Sequence, residues 1–217
     1  MNSKPLQVQP AEIEKKSFEI ISRELGDRVI PAEREAIVKR VIHTTADFDY
    51  VESLCFSPDA VEKGLAALKE GAVIVTDTQM ARSGVNKAAL AKLGGRVECF
   101  MSDEDVAAAA KAAGTTRATA SMDKAAVLPE ALAGGLIMAV GNAPTALIRL
   151  DELMKEGKIK PALIIGVPVG FVNVVESKEL IMNSGASYIV ARGRKGGSNV
   201  AAAICNALLY QATGRRL

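Results

Sequence analysis

Aromatic residues are scarce in this chain: they make up 4% of its 217 residues, and tryptophan is absent. Proteins that bind single-stranded nucleic acid usually stack the bases on aromatic rings, so this composition argues against that class. The formal net charge is only +2, which gives no reason to expect general nucleic-acid binding. Any site for an anion must therefore be local.

Clustered cysteines and long apolar runs are missing as well. Cys55, Cys99 and Cys205 are scattered without a CxxC pair, which favours reduced thiols in a cytosolic protein over a disulfide framework or a zinc site. No apolar run approaches the roughly 18–20 residues that cross a bilayer. The first residues are polar, so a secretory signal is not expected either. These absences together favour a cytoplasmic protein.

The chain does contain a repeated pattern: a short apolar segment, then a polar or glycine-rich turn, then a helix. Five apolar segments predict strands, at residues 72–77, 96–100, 136–140, 162–165 and 187–191. Strands that alternate with helices form a parallel sheet covered on both faces. We therefore predict one α/β domain over residues 1–217, with a helical N-terminal part (1–70) and an alternating part (71–217). The preferred architecture is a three-layer, flavodoxin-like, doubly wound parallel sheet of about five strands.

The same reading predicts where the helices lie. Apolar spacing, proline at helix starts and glycine at helix ends predict helices over residues 10–25, 32–42, 57–71, 85–93, 121–132 and 198–213, an alanine-rich helix between a cap at 102–105 and Gly114, and a helix that opens from each of the turns at 141–147 and 166–171. Residues 115–119 are interpreted as a polar connection before the 121–132 helix.

Three glycine-rich turns follow predicted strands, at residues 141–147, 166–171 and 192–198. Ligands of open α/β sheets bind at the carboxyl ends of the strands, so the chemistry should lie where these turns converge. The helix start at Asn142 is a candidate anion site, and Val169 and Gly170 lie in a loop whose two glycines and proline indicate close approach of another group to the backbone. Alternatives are that Asn142 is only an N-cap and that the 192–198 loop is only a solvated basic loop.

Several polar side chains could carry the chemistry. His43, the only histidine, follows a helix and could move a proton, although on the residues alone a structural histidine at a helix end is the favoured alternative. Ser17 lies on an otherwise apolar helix face, where its hydroxyl could simply bond to its own helix. Thr78 and Arg82 follow the first strand, and Arg117 lies in the polar connection. Arginine binds carboxylate or phosphate with two parallel hydrogen bonds, which draws attention to the 192–198 loop as well.

Five segments in this order resemble the motifs of the precorrin-8X methylmutase family, also called cobalt-precorrin-8 methylmutases: residues 40–45, 77–80, 141–147, 166–172 with 176–178, and 192–198. The resemblance extends from about Glu12 to the C-terminus. It implies a flavodoxin-like fold and a homodimer or small homo-oligomer with its site near a subunit interface. It also implies an isomerase of corrin-ring biosynthesis that moves a methyl group from C-11 to C-12 of precorrin-8X. The product is hydrogenobyrinic acid, or cobyrinic acid when the substrate already holds cobalt.

The resemblance also implies roles for particular residues. The family's catalytic histidine falls on His43, as a general acid that protonates the ring C region and later takes that proton back. Ser17 falls on a position that contacts substrate. Cations at the rim of a broad cleft would bind the substrate's carboxylates. The predicted substrate-binding residues are Ser17, Thr78, Arg82, Arg117, Asn142, Gly166, Val169, Gly170, Arg192, Arg194 and Lys195.

No metal site and no cofactor are expected in the protein, because the methyl group migrates within one molecule and any cobalt belongs to the substrate. The expected partners are the corrinoid and other copies of this chain, with possible hand-over to other enzymes of corrin synthesis, and neither nucleic acid nor membrane. Two other classes stay open on the residues alone. One is a corrinoid carrier without turnover, and the other is a nucleotide- or flavin-binding protein of flavodoxin-like fold, against which the missing phosphate-loop motifs and few aromatics argue.

Overall fold

The computed structural model describes residues 9–215, except for the side chain of Ala11. Residues 1–8 and 216–217 of the predicted single domain lie outside the described residues. A 3₁₀ turn at Pro10–Glu12 leads into the helices, which are α1 (Ile13–Leu25), α2 (Ala32–Thr45), α3 (Tyr50–Ser53), α4 (Ala60–Lys69), α5 (Gln79–Gly84), α6 (Lys87–Lys92), α7 (Glu104–Ala113), α8 (Arg117–Ala125), α9 (Pro144–Lys155), α10 (Val174–Met182) and α11 (Ser198–Ala212). The strands are β1 (Leu54–Phe56), β2 (Val73–Thr76), β3 (Arg96–Glu98), β4 (Leu136–Val140), β5 (Leu163–Gly166) and β6 (Tyr188–Ala191).

The sheet has the strand order β1-β6-β5-β4-β2-β3. Strands β2 to β6 are parallel to one another. Counted in chain order among themselves, these five strands have the order 2-1-3-4-5, which is the flavodoxin-like arrangement. The order reverses between β2 and β4, so the switch point, where ligands of such sheets bind, lies between their carboxyl ends. The predicted fold class is therefore confirmed.

The sheet has six strands rather than five, because the N-terminal part contributes β1. This strand runs antiparallel to β6, with Leu54 opposite Ala191 and Phe56 opposite Ile189. Its first residue therefore lies at the carboxyl end of β6. The segment that precedes β1, including the end of α2, is thus brought to the edge where the glycine-rich turns lie.

The parallel strands are buried on both faces, as their continuous apolar sequences require. In β2, Ile74 packs on one face and Val73 and Val75 pack on the other. On the first face, the alanine-rich helix α11 packs against α2, α4 and α5. Helices α7 to α10 cover the second face. No helix in the described part of the chain is long and apolar enough to cross a membrane.

The short helix α5 was not predicted, and another helix was predicted with the wrong bounds. The predicted 85–93 helix is observed as α6, which Asn86 caps by accepting a hydrogen bond from a backbone amide, whereas α5 before it is capped in the same way by Thr78. The predicted 121–132 helix begins earlier, at Arg117, because Thr116 caps it through the amide of Thr119, and it ends at Ala125. Residues 117–119, predicted as part of a polar connection, are therefore helical.

Candidate active site

His43 lies in the last turn of α2, with its side chain exposed, and faces α1. Its Nδ1 lies 2.8 Å from the hydroxyl oxygen of Ser17. Its ring is stacked on Phe18, with the ring centroids 5.2 Å apart and the ring planes 19° from parallel. Adjacent residues of α1 thus hold one edge and one face of the imidazole. Nε2 is left as the ring nitrogen that can meet another molecule.

The Ser17 hydroxyl suits a histidine that changes its protonation state. A hydroxyl can donate a hydrogen bond to a neutral Nδ1 and, after rotating, accept one from a protonated Nδ1. The ring therefore keeps this contact in both states. A carboxylate in the same place would favour the charged ring only. This geometry can support both release and recovery of a proton at Nε2.

Behind Phe18, the buried Arg40 connects α1, α2 and α11. Its guanidinium lies 4.8 Å from the Phe18 ring centroid and 5.1 Å from that of Tyr210. It also donates a hydrogen bond to the carboxylate of Glu14. This contact and the charge of Arg40 lower the pKa of Glu14, against the opposing effect of burial. Arg40 thus contacts Tyr210 and the Phe18 ring on which His43 is stacked, so it supports the imidazole through Phe18.

At the switch point, the turn after β4 is occupied by a side chain of the protein itself. The carboxylate of Asp77, which directly follows β2, is fully buried. It accepts hydrogen bonds from the amides of Gly141, Asn142 and Ala143 at 2.8, 2.8 and 2.7 Å. Burial raises the pKa of Asp77, and the three amides oppose that rise. The start of α9 is therefore already bound to an internal anion.

This arrangement corrects the interpretation of Asn142. The N-cap position is Ala143 rather than Asn142, and no side chain of the turn caps the helix. Asn142 contributes its amide to Asp77, and its side chain is exposed. The amides that were predicted as an anion site for a ligand serve Asp77 instead.

The other polar groups that were predicted near β2 lie around this switch point. Thr78 caps α5, and its hydroxyl lies 2.7 Å from that of Ser198 at the start of α11. Arg82 is half-buried and donates to the carbonyl of Val97 at 3.4 Å. Arg117 is exposed at the start of α8, next to Thr116, whose hydroxyl lies 2.9 Å from that of Thr145 in the first turn of α9. These contacts place Thr78 and Arg117 at the carboxyl edge of the sheet.

The loop after β5 combines a packed glycine with exposed apolar side chains. Gly166 is still part of β5, and a Cβ there would lie 3.3–3.4 Å from Val190 and Leu147, so close packing explains this glycine. Beyond it, Val169 is 48% exposed and Phe171 is 82% exposed. Gly170 has a φ of 143° and donates its amide to the carbonyl of Arg194. The loop after β5 and the loop after β6 are thus joined, and an apolar surface lies above them.

The cations of the loop after β6 have three different environments. Arg192 pairs with Glu179 of α10 at 3.1 Å. Arg194 is exposed and lies over Phe171, with its guanidinium carbon 5.4 Å from the ring centroid. Lys195 pairs with Asp47 and Asp49 at 2.6 and 2.7 Å, and these carboxylates raise its pKa. Of the three, Arg194 has no carboxylate partner among the described residues.

The Lys195 pairs also bring the two halves of the site together. Asp47 and Asp49 lie in the short connection between α2, the helix that carries His43, and α3. A hydrogen bond from the amide of Arg192 to the carbonyl of Ser53 holds the same two segments. The structure therefore places His43 and Ser17 on one side of the carboxyl edge and the loops at 166–171 and 192–198 beside them.

Four residues with important contacts were not assigned a role from the sequence: Phe18, Arg40, Asp77 and Lys178. Lys178 had a detectable signal, because it occupies an apolar face of α10 together with Val174, Ser177 and Ile181. Spacing of i, i+3, i+4 and i+7 marks these positions as buried. Asp77 directly follows a strand, but its partners lie 64–66 residues away.

Comparison with known proteins gives a consistent result. A family model described as precorrin-8X methylmutase matches residues 12–211. A protein of Priestia megaterium named cobalt-precorrin-8 methylmutase is 49% identical, and the alignment covers 94% of this chain and 89% of that protein. One of Pseudomonas aeruginosa named precorrin-8X methylmutase is 42% identical, with 90% and 93% covered.

Similarity to solved structures extends over the same length. The structure of precorrin-8X methyl mutase from Thermus thermophilus superimposes with a TM-score of 0.84 at 38% identity, covering 94% of this chain and 98% of that one. The family predicted from the sequence motifs is thus confirmed by sequence and by structure. This chain belongs to the precorrin-8X methylmutase family.

Proposed function

We propose that this protein is the isomerase of corrin-ring biosynthesis that moves a methyl group from C-11 to C-12 of precorrin-8X or of its cobalt form, with His43 as general acid and base. Family membership over residues 12–211 and the names of the relatives support the reaction. The exposed imidazole, held by Ser17 at 2.8 Å, is the observation that supports the role of His43. The relatives carry both the cobalt and the cobalt-free name, so both substrates are tested.

In the proposed mechanism, the substrate lies across the carboxyl edge with its ring C region at Nε2 of His43. The imidazolium gives its proton to the ring, the methyl–C-11 bond breaks as the methyl–C-12 bond forms, and the neutral imidazole takes the proton back. Atoms balance without an added reactant, so we propose that the enzyme needs no cofactor. The Ser17 hydroxyl keeps the ring in place by reversing its hydrogen bond at each step.

The surroundings of His43 suit a large, partly apolar ring with carboxylate arms. Val169, Phe171 and Val172 are exposed apolar residues of the loop after β5, and Met80 at the start of α5 is 70% exposed. Exposed apolar surface of this kind marks a binding or association site. Arg194 and Arg117 are exposed cations at the same edge, available for carboxylates. We propose that the other predicted polar residues, Thr78, Arg82, Arg192 and Lys195, act mainly by shaping this surface.

We also propose that the enzyme acts in the cytoplasm as a homodimer or small homo-oligomer with its site near the subunit interface, and that it hands its product to another enzyme of corrin synthesis. The exposed apolar loop at the site supports association there. Light scattering during size-exclusion chromatography would give the mass, and Phe171→Ser should lower it if this loop lies in the interface. A monomeric wild type would contradict the interface.

The reaction is tested by following the absorbance of precorrin-8X and of cobalt-precorrin-8 under excess substrate. Wild type should convert one of them over many turnovers. His43→Ala and His43→Asn should each lower kcat by at least about a hundredfold, because they remove the proton donor. His43→Asn is the matched control, since its amide can still bond to Ser17 and preserve the packing of α1 on α2. Circular dichroism should show both variants folded.

The outcomes separate the hypotheses. Turnover near the wild-type rate in His43→Asn would refute the role of the histidine but leave the isomerase intact. Binding of both corrinoids without turnover would indicate a carrier. The nucleotide-binding alternative predicts stabilisation by a nucleotide, and we expect none, because Asp77 already occupies the amides at the switch point.

A further inference from the structure

Lys178 is a lysine of α10 whose side chain is completely buried. Its ammonium donates hydrogen bonds to the carbonyl oxygens of Gly193 and Lys195, at 2.7 and 2.9 Å. These two residues flank Arg194 in the loop after β6. A single buried cation thus binds the loop from beneath at both sides of its exposed arginine.

The charge of this ammonium has no carboxylate partner among the described residues. Burial is the effect that acts on it, and it lowers the pKa of Lys178 to about 8. The charged groups of the neighbouring segments have other partners. On α10 and in the loop after β6, Glu179 pairs with Arg192, Lys195 pairs with Asp47 and Asp49, and Arg194 lies over Phe171. On α9, Asp151 pairs with Lys155, and Arg149 pairs with Asp123 and Glu152. Glu176 of α10 is exposed.

A buried ammonium without a counter-charge destabilises the folded protein, and an apolar side chain of similar length would destabilise it less at this position. Stability alone therefore does not explain the lysine. Its two bonds turn the carbonyls of Gly193 and Lys195 inward. The intervening residue, Arg194, is then presented outward, and it lacks a carboxylate partner in the described structure.

We propose that Lys178 is a positioning residue for the binding of a substrate carboxylate at Arg194. It fixes the loop through two carbonyls, without touching the substrate, and it keeps a positive charge beneath the loop that the bound carboxylate balances. This inference rests on the proposed function for the identity of the ligand. That Lys178 fixes the loop after β6 does not depend on the proposed function.

The first test compares Lys178→Met with Lys111→Met, which removes the same charge from an exposed position of α7. Lys178→Met should raise KM for the corrinoid by about tenfold or more and change kcat by less than about threefold. In the unliganded protein, hydrogen exchange of the 192–197 backbone should be faster by about tenfold or more. Lys111→Met should change neither quantity.

The second test begins with the wild type, so its first outcome does not depend on the folding of a variant. A carboxylate bound near Lys178 favours the charged ammonium, so binding of hydrogenobyrinic acid should take up a proton near pH 8. Calorimetry in two buffers with different ionisation enthalpies should show that, at pH 8, the wild type takes up roughly half a proton per site more than folded Lys178→Met. At pH 6.5 the two proteins should take up the same number of protons, because any proton that His43 exchanges there is common to both.

These outcomes distinguish the two proposals. Unchanged hydrogen exchange in folded Lys178→Met would overturn the positioning role whatever the protein catalyses. Turnover with no proton uptake at pH 8, or with equal uptake by wild type and folded Lys178→Met, would overturn the charge role. A protein that converts neither corrinoid, but whose loop is loosened by Lys178→Met, would refute the proposed function and leave the positioning role standing.

Discussion

Two turns at the carboxyl edge look alike in the sequence and are supported in opposite ways in the structure. In the turn after β4, three backbone amides donate hydrogen bonds to the buried carboxylate of Asp77. In the loop after β6, two backbone carbonyls accept hydrogen bonds from the buried ammonium of Lys178. In the first, the amides at the helix start are used internally. In the second, the carbonyls are used internally and the cationic side chains remain outside.

This difference shows that a glycine-rich turn at a helix start is not by itself a ligand site. The amides after β4 have the geometry that binds phosphate in related folds, yet the protein fills it with its own carboxylate. In the proposed function, recognition therefore depends on side chains such as His43 and Arg194. The three predictions below would break or sharpen this contrast.

The largest effect is expected from Asp77→Ala. Removal of the carboxylate leaves three amides without a partner in a buried site, so the free energy of unfolding should fall by about 3–5 kcal/mol. Urea denaturation measures this loss. Because the vacated space is lined by amides, added formate should restore part of the melting temperature of Asp77→Ala and leave that of the wild type unchanged.

Asp77→Asn is the matched control, since it keeps the size of the side chain and one acceptor oxygen. Its loss of stability should be smaller than that of Asp77→Ala, and formate should not restore it, because the space is filled. A loss below about 1 kcal/mol for Asp77→Ala would mean that the internal carboxylate does not hold this turn.

A second effect concerns how tightly the loop after β6 is packed. A Cβ at Gly196 would lie 2.1 Å from the carbonyl oxygen of Val167, so Gly196→Ala should lower the free energy of unfolding by about 2–4 kcal/mol. Gly157→Ala is the control, because Gly157 also has a positive φ but no atom lies within 4 Å of its Cβ position. The control carries only the backbone cost, about 1 kcal/mol. Equal losses in chemical denaturation would show that the loop can move away.

The smallest effect is expected from Lys195→Met, because this ion pair with Asp47 and Asp49 is exposed. The melting temperature should fall by no more than about 2 °C at pH 7. Lys195 lowers the pKa of Asp47, so the pair stabilises the fold above the ordinary aspartate pKa and loses its effect as pH falls through the lowered value. The difference between the calorimetric melting temperatures of wild type and variant should therefore shrink steadily as the pH is lowered below the ordinary aspartate pKa. A constant difference from pH 7 to pH 3 would contradict the pairing.

Much of the fold could be predicted from the sequence because its main strands are long and apolar enough to recognise. β4 and β5 are continuous apolar runs of four to five residues, and each is followed by a helix start. β1 was missed because it has only three residues and directly follows a short helix. In its pairing with β6, Cys55 lies opposite Val190, 135 residues further along the chain, so the pairing leaves no local signal.

The candidate site, like the fold, could be predicted only in part from the sequence. The sequence singles out His43 and the basic loop by residue type, and the structure adds what surrounds them. The contact between Ser17 and His43 spans 26 residues, and the one between Asp77 and Gly141 spans 64. Such pairs depend on tertiary packing, so single-residue chemistry could be predicted while partners could not. Thr116 is different, since its capping signal was local and was misread.

Both outer strands of the sheet, β1 and β3, have only three residues. Short edge strands offer few free backbone groups to another chain and so protect a sheet from edge-to-edge aggregation. In this protein the three residues of β1 also cover the side of β6, whose neighbouring loop carries Arg194. The proposed homo-oligomer should therefore form through side chains above the sheet and not by extending one continuous sheet across the subunits.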